Sequence, residues 1–313
     1  MDYELFLKEL LESLKDGVEA IGGGEFKVDQ GFKDNKMMDR LSFVPAGESV
    51  VVVLYPEYLF EDYQNGRPLS MIVSENVQIF EKHKLEAVDI QKLATEKFQL
   101  ENVFPTLMPR AGNEKYLEGV PFVEFEDLAI TFRVNVNIEE LKGTIKIENR
   151  HLSMFGVNVQ ELKEIALKNT VFTENACVVA MDEFMMDILE PGSLPDDFDG
   201  GIPMVVISNK DKYFGASVIL NTDVMKKVAE TLKEDFYILP SSIHECIAVP
   251  VGECPEESEL REMVREINET QVLPEERLSD QIYRFDSKSL TINMVLEERS
   301  LSVQQSEPDR VGR

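Results

Sequence analysis

Cysteine and histidine are scarce in this chain, and basic residues are outnumbered by acidic ones. The three cysteines, Cys177, Cys246 and Cys254, are odd in number and widely spaced. That excludes a disulfide framework, and without a Cys-x-x-Cys pair there is no close ligand spacing for zinc. The three histidines, His83, His151 and His244, form no His-x-x-x-His pair, so no metal and no cofactor is expected. Lys and Arg total 32 against 59 Asp and Glu, a formal charge of −27. A surface this acidic repels phosphate, which argues against general nucleic-acid binding and against docking on anionic membranes. A basic protein, a cationic ligand or Ca²⁺ is favoured instead. No apolar run approaches the roughly 20 residues that span a bilayer, and the N-terminus lacks a basic region followed by an apolar one. The expectation is a soluble, cytoplasmic protein in a reducing setting. Also missing are Gly-x-x-x-x-Gly-Lys, Gly-x-Gly-x-x-Gly and Gly-x-Ser-x-Gly, so the common nucleotide loops and the hydrolase nucleophile elbow are not supported.

What is present suits a large core: 43% of the 313 residues are hydrophobic and 29% are charged, without the bias of a disordered chain. Leu7, Leu10, Leu11 and Leu14 predict an amphipathic helix that stops near Gly17 or Gly22-Gly23-Gly24. Phe26 and Val28, then Leu41 and Phe43, alternate as short strands do. Val50 to Tyr55 predicts a strand buried on both faces. Helices follow around Tyr58, Leu59 and Tyr63, and after Pro68. Residues 85–96, with Asp89, are expected to be a short helix or linker. Pro105 and Pro109 break the stretch from Phe98. Val123 to Val136 and Thr144 to Ile147 predict paired strands.

Asn158 to Glu161 has the spacing of a capping box. Val178 to Leu189, with Met181, Met185 and Met186, predicts a helix. Pro191 to Gly201, with Asp196, Asp197 and Asp199, predicts a loop without the order of a calcium-binding one. Met204 to Ser208 and Gly215 to Leu220 predict two strands joined by the turn Asn209 to Lys212. A helix capped by Asn221 or Thr222 comes next, then two apolar runs around Leu239 to Glu245. After Pro255 a helix is expected with Leu260, Met263, Val264 and Ile267 on one face, then a hairpin through Tyr283, Phe285, Leu290 and Ile292. Helices and strands mix without βαβ alternation. The expected fold is α+β, with mixed, largely antiparallel sheets and flanking amphipathic helices. The expected lobes are 1–95 and 96–300, with 301–313 a disordered tail.

The densest run of reactive side chains is Leu239-Pro240-Ser241-Ser242-Ile243-His244-Glu245. Ser242 and His244 are the candidate catalytic pair. In an extended segment they share one face, with Ile243 and Glu245 on the other. A triad would therefore need an acid from elsewhere. The alternative is a Pro-Ser-Ser turn whose hydroxyls satisfy backbone groups, with His244 hydrogen-bonded beneath it. Candidate binding residues are Asn209, Lys210, Ser241, Glu245 and Asp280. Lys210 and Lys212 sit where a turn could hold an anion. Glu148 and His151 form a lone Glu-x-x-His spacing, and a carboxylate-bridged metal pair needs two.

Several stretches resemble a single family. They are Ile207 to Lys210, Phe214-Gly215-Ala216, Phe236 to Glu245, Arg261 to Asn268 and Leu278 to Tyr283, with Phe125 to Ala129 and Tyr55 to Gly66 upstream. The family is bacterial and Firmicutes-type, a domain of unknown function that carries the Leu239 to Glu245 segment. The resemblance covers nearly the whole chain. It implies a bacterial cytosolic protein and carries over no activity, cofactor or catalytic residue. The leading expectation is an acidic binding or regulatory module with a protein partner. A hydrolase or transferase centred on Ser242 and His244 is the first alternative. An acidic mimic of DNA is the second, and it would need carboxylates arrayed on one face.

Overall fold

The computed structural model describes residues 1–33, 36–46, 52–85, 98–136, 143–181, 183, 203–240 and 242–296. The expected linker at 85–96 (beyond its first residue), Met185 and Met186, the loop at 191–201 (which carries Asp196, Asp197 and Asp199), Ser241 and the tail from 301 lie outside these residues.

Helix α1 (Tyr3–Glu19) starts at Asp2, whose carboxylate accepts from the Leu5 amide, and it buries Phe6, Leu10, Leu14 and Val18. Gly17 does not stop it. A Cβ there would lie 2.7 Å from Val77 Cγ2, so the glycine lets α1 approach α3 (Leu69–Leu85) closely. Strands β1 (Gly24–Lys33) and β2 (Lys36–Pro45) form a long antiparallel hairpin, and β3 (Val52–Leu54) pairs β2 on its other side. Among the described residues β3 is thus an edge strand. Val52 is buried while Val53 and Leu54 are only half-buried, which corrects the expectation of burial on both faces. Pro56 opens α2 (Pro56–Gln64) at its first turn. The core beneath joins Phe6, Phe43 and Phe80. The Phe43 and Phe80 rings sit 4.5 Å apart, a contact that contributes about 0.5–1.5 kcal/mol beyond its buried area.

The second sheet has β6 (Leu128–Asn135) at its centre, flanked by β4 (Val103–Pro109), β5 (Val123–Phe125) and β7 (Thr144–Lys146). Pro105 does not break β4; it lies opposite Phe132 within the ladder. Among the described residues β4 pairs β6 alone, and an edge strand tolerates a missing N–H. Helices α4 (Glu114–Leu117), α5 (Asn149–Phe155), α6 (Val159–Lys168) and α7 (Thr170–Thr173) accompany this sheet. The capping box forms as expected: Asn158 Oδ1 accepts from the Gln160 and Glu161 amides, and Glu161 Oε2 accepts from the Asn158 amide.

The third sheet is six-stranded and antiparallel. It contains β8 (Ala176–Ala180), β9 (Val205–Asn209), β10 (Phe236–Leu239), β11 (Cys246–Pro250), β12 (Tyr283–Asp286) and β13 (Thr291–Met294), in the order β13-β12-β10-β11-β9-β8. Two expectations fail here. Val178 belongs to a strand paired with Ile207, not to a helix. Gly215–Leu220 is a 3₁₀ helix, not a strand. A short buried apolar run does not tell helix from strand by periodicity, and both sides of β9 are already taken by β8 and β11. Helix α8 (Thr222–Leu232), capped by Asn221, packs Val224, Met225 and Val228 on the core. In α9 (Glu257–Thr270) the buried face is Leu260, Arg261, Val264 and Asn268, while Met263 and Ile267 are exposed. Asn268 turns inward because its amide donates to Ser279 O and Asp280 Oδ1, both at 2.9 Å. The fold is α+β with largely antiparallel sheets, as the mixed pattern predicts.

Candidate functional site

β10 and β11 form a hairpin, and Ser242 to Glu245 make its tip. This tip is a turn, not an extended segment: the Ser242 amide donates to Glu245 O at 3.3 Å. The turn places Ser242 against Glu245, where alternation separated them. Ser242 is buried and its Oγ donates to Glu245 Oε1 at 2.7 Å, while the His244 amide donates to that same Oγ at 3.0 Å. The hydroxyl thus ties the turn together in both directions.

The His244 imidazole points elsewhere. Its Nδ1 accepts from the Phe214 amide at 3.2 Å, and its Nε2 lies 3.5 Å from Glu276 Oε1. An accepting Nδ1 places the ring proton on Nε2, facing the carboxylate. The ring stacks on Tyr213, with centroids 5.3 Å apart and planes 25° from parallel. The backbone is equally engaged: His244 O accepts from Ser208 Oγ at 2.8 Å, and Ile243 is held between Ala216 N and Glu276 O. Gly215 fits because it has no side chain; a Cβ would lie 2.3 Å from Ser208 Oγ and 2.4 Å from His244 O.

The turn after β9 is built by Asn209. Its side-chain amide donates to Tyr213 O at 2.8 Å and its Oδ1 accepts from the Tyr213 amide at 3.1 Å. Lys212 and Phe214 adopt positive φ within this compact loop. Lys210 is exposed, and its amide donates to Asn175 O. Asn175 Nδ2 in turn donates to Asp211 Oδ2 at 2.9 Å. These groups border a cavity of about 290 Å³ between the second and third sheets. Its lining includes Phe104 of β4, Phe172 of α7, Asn175, Asp211, Tyr213 and Val218. Asp211 is the charged residue among the described lining residues.

Of the sequence candidates, Asn209 lines this cavity, and His244 adjoins it through Tyr213. Ser242 and Glu245 stay within the hairpin tip, and Asp280 pairs with Asn268. Asp211, Tyr213 and Asn175 join Asn209, Asn135, Thr144 and Ser217 as the polar residues of the lining. The turn signal at Asn209 to Lys212 marks Asp211's position, but nothing local brings Phe104 or Asn175 beside it.

The other reactive spacings resolve into structure. Glu148 and His151 form a reciprocal cap at the start of α5, where the Glu148 amide donates to His151 Nδ1 at 2.9 Å. Burial, followed by the neighbouring Arg150, lowers the His151 pKa. Burial pushes the Cys246 thiol far up, away from a reactive thiolate. No group of three or more His, Cys, Asp or Glu that could hold a metal occurs among the described residues. Nor is any described helix long and apolar enough to cross a membrane.

Antiparallel sheets with helices packed on them, and a turn-built cavity between two sheets, define the class as an α+β protein. The chain belongs to a family of unknown function, DUF5688, whose profile matches residues 3–287. No curated protein and no solved structure matches it.

Proposed function

We propose that this chain is a non-enzymatic binding module whose ligand is a small molecule held in the cavity beside Tyr213. The carrying observation is the cavity: about 290 Å³, walled by apolar rings and edged by a few fixed polar groups. This is the usual make-up of a small-molecule site, toward the lower end of the usual size. The hydrogen bonds of Ser242 and His244 favour binding over hydrolysis, because the hydroxyl is committed to Glu245 and the imidazole to Phe214 and Glu276. The test is ligand-observed NMR of a fragment library against the wild type and Val171→Trp, which would fill the cavity from its half-buried rim. Fragments that bind the wild type and are lost in the variant are the expected result. Hits that all survive Val171→Trp overturn the proposal.

The net charge of −27 supports a second reading, a regulatory module that docks a basic protein partner. A cytoplasmic setting in a bacterium of the Firmicutes type goes with it, on the resemblance noted above. A cross-linked partner whose recovery falls between about 0.05 and 0.3 M salt is the expected outcome. Recovery unaffected by salt counts against it.

A further inference from the structure

We infer that the cavity takes a small monocarboxylate on an apolar or aromatic body, with Arg133 at its edge as the group that holds the carboxylate. This rests on the binding-module reading and adds the ligand's chemical class. Arg133 lies on the cavity side of the second sheet. Its partner in the β4 ladder is Phe104, and two residues further along β6 Asn135 pairs with Thr144 of β7. Directly paired residues share a face of a sheet, and so do residues two apart on one strand. Phe104, Asn135 and Thr144 all line the cavity, so the Arg133 side chain rises from the same face. Its Nε donates to Thr144 Oγ1 at 2.7 Å, and its guanidinium lies over the Phe214 ring, 4.6 Å from the centroid. Phe214 is buried and follows the lining residue Tyr213 in the chain. Two contacts from two sheets thus fix the guanidinium at the rim.

With 59 acidic residues to 32 basic ones, an arginine of this chain has carboxylates to choose from, and Arg40, Arg67, Arg110, Arg150 and Arg284 each pair with one. Arg133 does not. Among the described residues no carboxylate forms an ion pair with it, Asp211 included. Nε is committed to Thr144, which leaves Nη1 and Nη2 as a planar fork that matches the two oxygens of a carboxylate. The fork is oriented before a ligand arrives, which lowers the ordering cost of binding. Asp211 also lines the cavity, its carboxylate accepting from Asn175 Nδ2 at 2.9 Å. That charge and the −27 of the whole chain act against a second negative charge on the ligand, which favours a monocarboxylate over a phosphate. Phe104, Phe172 and Val218 provide an apolar wall for the rest of the ligand. The volume of about 290 Å³ equals about ten water volumes, which suits a ligand on the order of ten non-hydrogen atoms.

The experiment compares three probes of nearly equal size on the full chain: phenylacetate, its neutral isostere phenylacetamide, and 2-phenylethylamine. Salt is kept at about 0.15 M, where charges more than about 8 Å away are largely screened and the local group decides. Affinities come from amide chemical-shift titrations of the wild type, Arg133→Gln, Arg133→Lys and Val171→Trp. Phenylacetate is expected to bind the wild type about five-fold more tightly than phenylacetamide, with the amine weakest. Arg133→Gln should remove the advantage of phenylacetate and leave the affinity of phenylacetamide unchanged. Arg133→Lys keeps the charge without the fork and should retain part of the advantage, so a folding loss confined to the glutamine variant leaves the test intact. Val171→Trp should weaken all three probes. Equal binding of phenylacetate and phenylacetamide to the wild type overturns the inference and leaves the binding module standing. So does an advantage of phenylacetate that survives Arg133→Gln, a preference for the amine, or the absence of shifts with phenylacetate at millimolar concentration. Probes that bind with no response to Val171→Trp count against the binding module itself.

Discussion

Lys33 Nζ lies 3.4 Å from Glu275 Oε1, although 242 residues separate the two in sequence. Glu275 is 1% exposed, and Lys33 also donates to Tyr58 Oη at 3.0 Å and sits over the Tyr58 ring. The contact ties the first hairpin to the loop after α9. Lys33→Met leaves a buried carboxylate without this cation, and breaking such a pair costs several kcal/mol when both groups are deeply buried. Lys33 is 27% exposed, so the expected loss is about 1–3 kcal/mol. Urea unfolding checks it. A variant as stable as the wild type would show that water satisfies Glu275 equally well. The proposed division into lobes 1–95 and 96–300 predicts two unfolding transitions, moved apart by this substitution.

Gly215→Ala should be among the most damaging single-methyl changes in the chain. The added Cβ meets Ser208 Oγ, His244 O and Asn209 N, all within 2.6 Å. Two of those atoms are backbone and cannot rotate away. Overpacking of this kind costs about 1–3 kcal/mol, and the upper end is expected here. Thermal unfolding of Gly215→Ala in a Ser208→Ala background separates the contributions. Full rescue by Ser208→Ala would show that the backbone contacts yield after all.

Ser242 should behave as a structural residue. Ser242→Ala removes the bond to Glu245 and the acceptor for the His244 amide, and it should destabilise the protein by about 1–3 kcal/mol. A fluorophosphonate probe, which labels activated serines, should leave Ser242 unmodified in the folded protein. Labelling at Ser242 that disappears in His244→Ala would restore the hydrolase reading.

Tyr237 predicts a loss of stability at alkaline pH. Burial, and then its 2.7 Å hydrogen bond to the Glu257 carboxylate, push the phenol from an ordinary 10.0 up to about 12. The folded state favours the protonated phenol. Its contribution is therefore complete below the unfolded value of 10.0 and fades as pH rises through about 12. Urea midpoints of the wild type and Tyr237→Phe should differ most below pH 10 and converge toward pH 12. A difference that stays constant across this window would show that the phenol's proton is not involved.

Local chemistry made much of the fold legible. Leu10 and Leu14 mark the buried stripe of α1, and Asn158 and Asn221 cap the helices that follow them. The last hairpin pairs Phe285 with Ile292. Each of these depends on residues close in sequence, so periodicity and cap chemistry suffice. The failures share one cause. Gly215–Leu220 has strand composition, yet the neighbouring positions in the sheet are filled by β8 and β11. In α9, Asn268 continues the buried row of Leu260 and Val264, where Ser279 and Asp280 accept its amide hydrogens, and Met263 and Ile267 are left on the exposed face.

By itself the sequence determined the charge that repels anions, the α+β class and the family. Only the tertiary structure decided what the reactive side chains face. Alternation put Ser242 and His244 on one face with Glu245 opposite, but the hairpin tip closes into a turn that brings Ser242 onto Glu245 and sends His244 toward Phe214 and Glu276. The cavity joins Phe104 and Asn175 to Asp211 and Tyr213 across long stretches of chain. Contacts between such distant residues are set by how the sheets pack, which no local pattern encodes.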